Sequence, residues 1–185
     1  MPIGSLDAAP HVARHVLYQR PARVLDLGIG SGFYGAIVRQ WADEGVRPWR
    51  TWLVGVEGWA DYRNPLWDLY DMVFTMTIEE FLSHPNDPFD CVMLNDVLEH
   101  FDRPTGAALL QRLKQQVVAS GGTLWVNTPA QFCPQEAAHG NELERHRSLW
   151  TAADLESLGF ATVLSGQEPQ LGPVPTVLSR WDHRS

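Results

Sequence analysis

The run Val24-Leu25-Asp26-Leu27-Gly28-Ile29-Gly30-Ser31-Gly32-Phe33-Tyr34-Gly35 constrains this chain more than any other stretch of it. An apolar, strand-like segment stops at three glycines spaced by one residue, and a stretch with helical periodicity follows. A strand that ends in close glycines and opens a helix lets a ligand approach the backbone. It also turns the free N–H groups of the loop and the helix start toward that ligand. Gly30-x-Gly32-x-x-Gly35 has the spacing of a dinucleotide fingerprint. Asp26 argues for something else, because a carboxylate beneath the loop repels a pyrophosphate and favours a cationic amino-acid moiety.

The remaining periodicity alternates short apolar runs with amphipathic stretches. Helices are expected over His11–Gln19, with Val12, His15, Val16 and Tyr18 on one side, and over Tyr34–Ala42, with Ile37, Val38 and Trp41 inward. Strands are expected over Arg23–Leu27, Trp52–Glu57, Met72–Thr75, Asp90–Asn95 and Gly122–Asn127. Glu79–Leu82 reads as one helical turn, Thr105–Ala119 as a long helix, and Thr151 as the N-cap of a helix through Leu158. Phe160–Leu164 and Thr176–Trp181 read as two last strands joined through Gly172-Pro173. The pattern predicts one α/β domain over residues 1–185: a doubly wound, mostly parallel seven-stranded sheet with helices on both faces. Thr128–Leu149 carries no periodic signal, and loops of that length in a compact domain are usually functional or mobile.

Charge narrows the partners. Among 185 residues, 22 acidic side chains oppose 14 basic ones, for a net charge of −8. The nearest approaches to a basic stripe are the pairs Arg20/Arg23 and Arg145/Arg147, so nucleic acid is disfavoured and a small-molecule partner is expected. No window is apolar enough to span a membrane, and the start has no basic-then-apolar leader, so a cytoplasmic protein is expected. Two cysteines make no disulfide framework: Cys91 belongs to a buried strand and Cys133 to the long loop. The eight tryptophans are expected mostly in the core or lining a groove.

Several motifs together resemble the S-adenosylmethionine (SAM) dependent methyltransferases with the Rossmann-like fold, and small bacterial members in particular. Asp26-x-Gly28-x-Gly30-x-Gly32 after an apolar strand is similar to that family's first motif. Val54-Gly55-Val56-Glu57 is similar to its second strand with a terminal acid. Phe89-Asp90-Cys91-Val92-Met93-Leu94-Asn95-Asp96-Val97-Leu98-Glu99-His100 resembles its fourth strand and the "D-V-L-E-H" segment after it. Gly121-Gly122-Thr123-Leu124-Trp125-Val126 resembles the fifth strand, and Glu144-Arg145-His146-Arg147-Ser148-Leu149-Trp150-Thr151 with Asp154-Leu155 a "H-x-S-x-W-T-x-x-D-L" run.

The resemblance implies SAM as cofactor, S-adenosylhomocysteine (SAH) as product, and roles for individual residues. Asp26, Gly28, Gly30 and Gly32 would cradle the cofactor, and Glu57 with Gly58 would receive the ribose hydroxyls. Trp59 would lie on the adenine face, and Asn95 would approach the methionine portion. Many members place an acid after the third strand to hold the adenine amino group. Thr77 stands there instead, with the backbone N–H of Ile78 beside it. His100 and His146 are the available catalytic bases, since an imidazole titrates near neutrality. No second pair of ligands lies at metal-binding spacing around His146, so no metal site is expected. The acceptor would be an oxygen or nitrogen nucleophile on a small molecule, sugar or lipid-linked intermediate. Its pocket would form from the N-terminal helix, the segment after the fourth strand and the loop Thr128–Leu149. A SAM-binding or partner-binding module without turnover is the alternative, and a nicotinamide dehydrogenase is a third.

Overall fold

A computed structural model describes residues 5–138, 140–166 and 174–184. Seven strands form one sheet in the order β3-β2-β1-β4-β5-β7-β6. They are β1 (Arg23–Leu27), β2 (Trp52–Glu57), β3 (Met72–Thr75), β4 (Phe89–Asn95), β5 (Val118–Pro129), β6 (Ala161–Ser165) and β7 (Thr176–Asp182). The first five run parallel, and β7 enters antiparallel between β5 and β6. The helices are α1 (Ala9–Gln19), α2 (Phe33–Ala42), α3 (Ile78–Ser83), α4 (Arg103–Arg112) and α5 (Ala152–Ser157).

Strand alternation sorts the core into two layers. Leu25, Leu27, Val54, Val56, Val92 and Leu94 pack against α3, α4 and α5. Val24, Leu53, Cys91 and Met93 face α1, α2 and the segment around Trp67 and Tyr70. Burial on both sides explains why β1 and β4 read as continuous apolar runs rather than alternating ones. The strand order reverses on either side of β1 and β4, which opens a crevice at their carboxyl ends. Among the described residues no helix is long and apolar enough to cross a membrane.

The structure corrects several local expectations. The helix expected to run to Ala119 stops at Arg112 and passes through a π-helical turn, Leu113–Val117. Val118 already pairs with Phe89 in the sheet, so the β-branched pair that looked like a helix face is where the strand begins. Tyr18 is exposed because the buried stripe of α1 is the narrow Val12–Val16 pair. Trp41 is 42% exposed, since the face of α2 that turns inward is Tyr34, Gly35, Val38, Arg39 and Ala42. Only Trp67, Trp125 and Trp150 of the eight tryptophans are fully in the core, while Trp41 and Trp52 are exposed. The expected Gly172-Pro173 junction lies outside the described residues.

Arg39 deserves its buried position. Its guanidinium pairs with Asp43 at 2.8 Å and Asp71 at 2.7 Å, and its Nε donates to the Leu69 carbonyl at 2.7 Å. A buried charge is tolerated when it is paired and hydrogen-bonded in this way. The pairing ties α2 to the entry of β3, which sets Tyr70 against the start of α2.

Candidate cofactor and acceptor cavity

A cavity of about 850 Å³ opens at the carboxyl ends of β1, β2 and β4. One wall is the glycine turn between β1 and α2. Gly28 and Gly30 adopt φ of +73° and +48°, which side-chain-bearing residues avoid. A Cβ at Gly28 would meet Val97 at 2.4 Å, whereas a Cβ at Gly30 would point into open space. The turn is held from below. Glu57 Oε2 accepts the Gly30 N–H at 2.8 Å, and Oε1 accepts the Trp59 N–H at 2.9 Å. Burial pushes the Glu57 carboxyl up, and these backbone hydrogen bonds pull it back down.

Asp26 lies one layer beneath this wall and does not line the cavity. It is 2% exposed, on the β1 face turned toward Tyr70, whose hydroxyl donates to Asp26 Oδ2 at 2.7 Å. That same hydroxyl accepts the Gly35 N–H at 3.0 Å. A Cβ at Gly35 would sit 2.3 Å from the Tyr70 ring, so the third glycine of the fingerprint spacing serves this contact and not a ligand. Burial raises Asp26 from 3.8 to about 7, against the Tyr70 hydrogen bond and helped by Glu57. Gly32, the N-cap of α2, and half-buried Trp59 also stand outside the cavity wall.

The other expected residues meet in the cavity. Gly58, Thr77, Ile78, Asn95, His100 and His146 line it together with Gly28, Gly30 and Glu57. Thr77 caps α3, its hydroxyl accepting the Glu80 N–H at 3.2 Å, so that oxygen is already engaged. Ile78 opens α3, and first-turn N–H groups have no partner within their own helix. Asn95 is 7% exposed, and neither its Nδ2 nor its Oδ1 has a hydrogen-bond partner among the described residues. An orphaned buried amide in a cavity wall is a group awaiting a polar ligand.

The long loop forms the roof. Its segment Arg145–Ser148 is pinned to the end of β4: Arg147 and Ser148 N–H groups donate to the Glu99 carbonyl at 2.8 and 3.1 Å. Arg147 Nη1 donates to the His100 carbonyl at 2.7 Å. Tyr62 donates to Glu144 Oε1 at 2.9 Å, which fastens the loop to the turn after β2. His146 and His100 thereby come together with ring centroids 4.9 Å apart. His100 is pushed down, chiefly by burial. The segment ahead of α1, through Ser5 and Leu6, supplies the remaining side of the cavity, and α1 itself does not.

Three participants carried no role in the sequence reading. Asp96, at φ +50°, accepts the Ser5 N–H and the Asn127 Nδ2 at 3.1 Å, and burial raises it to about 6. Glu99 is 2% exposed, accepts the Thr128 hydroxyl at 3.0 Å, and is raised by burial and by Asp96. Tyr70 is the third. Asp96 and Glu99 lie within the Asn95–His100 segment that carries the signal, but Tyr70 has none of its own.

A doubly wound sheet with a glycine turn and a β2-terminal acid walling a deep cavity defines a Rossmann-like fold of the methyltransferase class. The family model described as "Methyltransferase domain" matches residues 7–161, and the chain belongs to that family. Among curated proteins no sequence match is found. Three solved structures illustrate the shared fold. The 1,6-didemethyltoxoflavin-N1-methyltransferase of Burkholderia thailandensis, solved with 1,6-didemethyltoxoflavin and SAH, superposes with a TM-score of 0.66 at 16% identity. The match covers 97% of this chain and 79% of that one. The N-methyltransferase NodS of Bradyrhizobium japonicum, in complex with SAH, gives 0.65 at 13% identity over 97% and 87%. An O-methyltransferase family protein of B. thailandensis gives 0.64 at 19% identity over 96% and 55%.

Proposed function

We propose that this chain is a SAM-dependent methyltransferase acting on an oxygen or nitrogen nucleophile of a small-molecule, sugar or lipid-linked acceptor. The observation that carries the reading is that one cavity holds both sets of groups. The glycine turn, Glu57 and the Asn95 amide, unpartnered among the described residues, stand on one side, and the paired imidazoles on the other.

The donors present fit the cofactor. Open space above Gly30 admits close approach to the backbone, and the Glu57 carboxylate, which accepts the Gly30, Trp59 and Gly58 N–H groups, keeps acceptor capacity for a ribose hydroxyl. Ile78 offers a first-turn N–H to an adenine edge, and Asn95 offers donor and acceptor to the amino-acid portion. Asp26 acts through the loop rather than by contact, holding Tyr70 and through it the Gly35 N–H. When bound, SAM supplies an electrophilic methyl group on a sulfonium.

The protein's task is then alignment and control of one proton. Each histidine directs Nδ1 at a backbone carbonyl: His146 at Cys133, 2.6 Å, and His100 at Arg145, 3.3 Å. A carbonyl only accepts, so a neutral His146 carries its proton on Nδ1 and presents Nε2 as a lone pair, while the His100 ring also meets the Asp96 carbonyl beside it. These imidazoles are the groups that can take a proton from the acceptor nucleophile. Leu143 over Gly58 and the pinned Arg145–Ser148 segment shield the site from water. Acceptors bearing hydroxyl, phenol or amine groups, incubated with methyl-labelled SAM, test the reading. Label transfer to one class that is lost in His100→Ala is expected; no transfer to any class by a protein that binds SAM would favour a binding module.

A further inference from the structure

We infer that Glu99, His100 and His146 form a binding site for a divalent transition-metal cation at the acceptor side of the cavity. One ligand atom from each residue lies within 4.8 Å of the other two, close enough for a single ion to gather them with small side-chain adjustments. The chain spacing hid this. Glu99 and His100 come from the turn after β4 and His146 from the roof loop, and the hold of the Glu99 and His100 carbonyls on Arg147 and Ser148 helps bring them together.

Three independent features favour a cation over a mere polar cluster. First, each imidazole sets Nδ1 against a backbone carbonyl (Cys133 for His146, Arg145 for His100), the orientation that metal-ligating histidines usually take. Second, the Glu99 carboxyl is 2% exposed, and the hydrogen bond that fixes its Oε2 comes from the neutral Thr128 hydroxyl. A buried carboxyl stays protonated until a cationic partner or a metal draws out its ionised form. Third, the cations near it are spent elsewhere. Arg147 donates to the carbonyls of His100 and Glu142, and Arg145 pairs with Glu136 and Glu142. Glu57, Asp96 and Glu144 line the same cavity and add to its negative character.

Two neutral imidazoles and one carboxylate suit Mn(II), Fe(II), Co(II) or Zn(II) better than Ca(II) or Mg(II), which prefer all-oxygen sets. Three protein ligands leave coordination positions open, and all three residues line the cavity. An acceptor oxygen could therefore join the ion, in which case the two Nε2 lone pairs ligate and no longer take a proton. That last step rests on the methyltransferase reading; binding of the ion does not.

Titration of the purified protein with Co(II), followed by visible absorption and by proton NMR, tests the inference without cofactor or acceptor. We expect one equivalent to bind with visible bands, and two exchangeable, paramagnetically shifted N–H signals from the two Nδ1–H groups. His146→Ala and His100→Asn should each weaken binding by at least about 100-fold, in line with the loss of a first ligand exceeding second-shell effects. Both variants are checked by circular dichroism, and the wild-type signals decide the matter if either fails to fold. Absence of bands at millimolar Co(II), or equal binding by folded His146→Ala, overturns the site. SAH titrated in parallel separates the two claims: SAH binding without Co(II) binding leaves the methyltransferase reading standing alone, and the converse leaves the metal site alone.

Discussion

Glu57 Oε2 accepts the Gly30 N–H at 2.8 Å, joining the end of β2 to the glycine turn that leaves β1. The same carboxylate holds Trp59 through Oε1, so it shapes the wall before it meets any ligand. Glu57→Gln replaces one of these acceptors by an NH₂ group that cannot receive a backbone N–H. SAM affinity should fall by about 1.5–3 kcal/mol, the usual worth of hydrogen bonds to a charged group. Calorimetry on folded variant protein checks this, and unchanged affinity would remove Glu57 from the site.

Gly30 and Gly35 should respond to the same substitution in different ways, Gly30 chiefly in ligand binding and Gly35 in stability. Gly30→Ala costs about 1–2 kcal/mol of stability from its positive φ, yet its Cβ enters open cavity, so a folded protein with at least about tenfold weaker SAH binding is expected. Gly35→Ala drives a methyl into the Tyr70 ring, 2.3 Å away, and should destabilise by about 1–3 kcal/mol. Thermal unfolding with and without SAH separates the two effects; a Gly30→Ala protein that binds SAH normally contradicts the placement of the cofactor.

Asp26 gives the protein a pH signature. Its carboxyl is raised from 3.8 to about 7 in the fold, so between those values the folded state binds more protons than the unfolded chain. Its contribution to stability therefore falls as pH rises across that window, by up to roughly 1 kcal/mol per pH unit, and levels off above it. Asp26→Asn should remove that fall. Denaturant midpoints of wild type and variant between pH 4 and 8 check it, and parallel profiles would contradict it.

Trp150 anchors the far end of the roof loop. It is 1% exposed, with Nε1 donating to Ser148 Oγ at 2.8 Å and its ring against Gly106. Trp150→Ala should cost about 3–5 kcal/mol. A stability change under 1 kcal/mol in urea unfolding would show that the loop end is not fixed there.

Much of this was written in local pattern. Strand and helix periods gave the doubly wound sheet, and the glycine turn with Glu57 and Asn95 marked its carboxyl-end crevice. Side-chain direction was less legible. Tyr18 and Trp41 lie near their helices' apolar stripes, and a residue's angular position alone does not say how wide the covered face is. Val117 and Val118 suit either a helix face or a strand, and pairing with Phe89 took Val118 into the strand while Val117 closes the π-helical turn. The partners Tyr70, Glu99 and Glu144 depend on contacts between distant segments, to which no local period points. The Asp26 position was legible, but its action through Tyr70 was not.

The most direct test of the account is calorimetric titration of the purified chain with SAM and SAH, with NAD alongside. One-to-one binding of both adenosyl ligands, weakened in Glu57→Gln, and no binding of NAD is the predicted result. A folded protein that gives no heat with either adenosyl ligand would contradict the account.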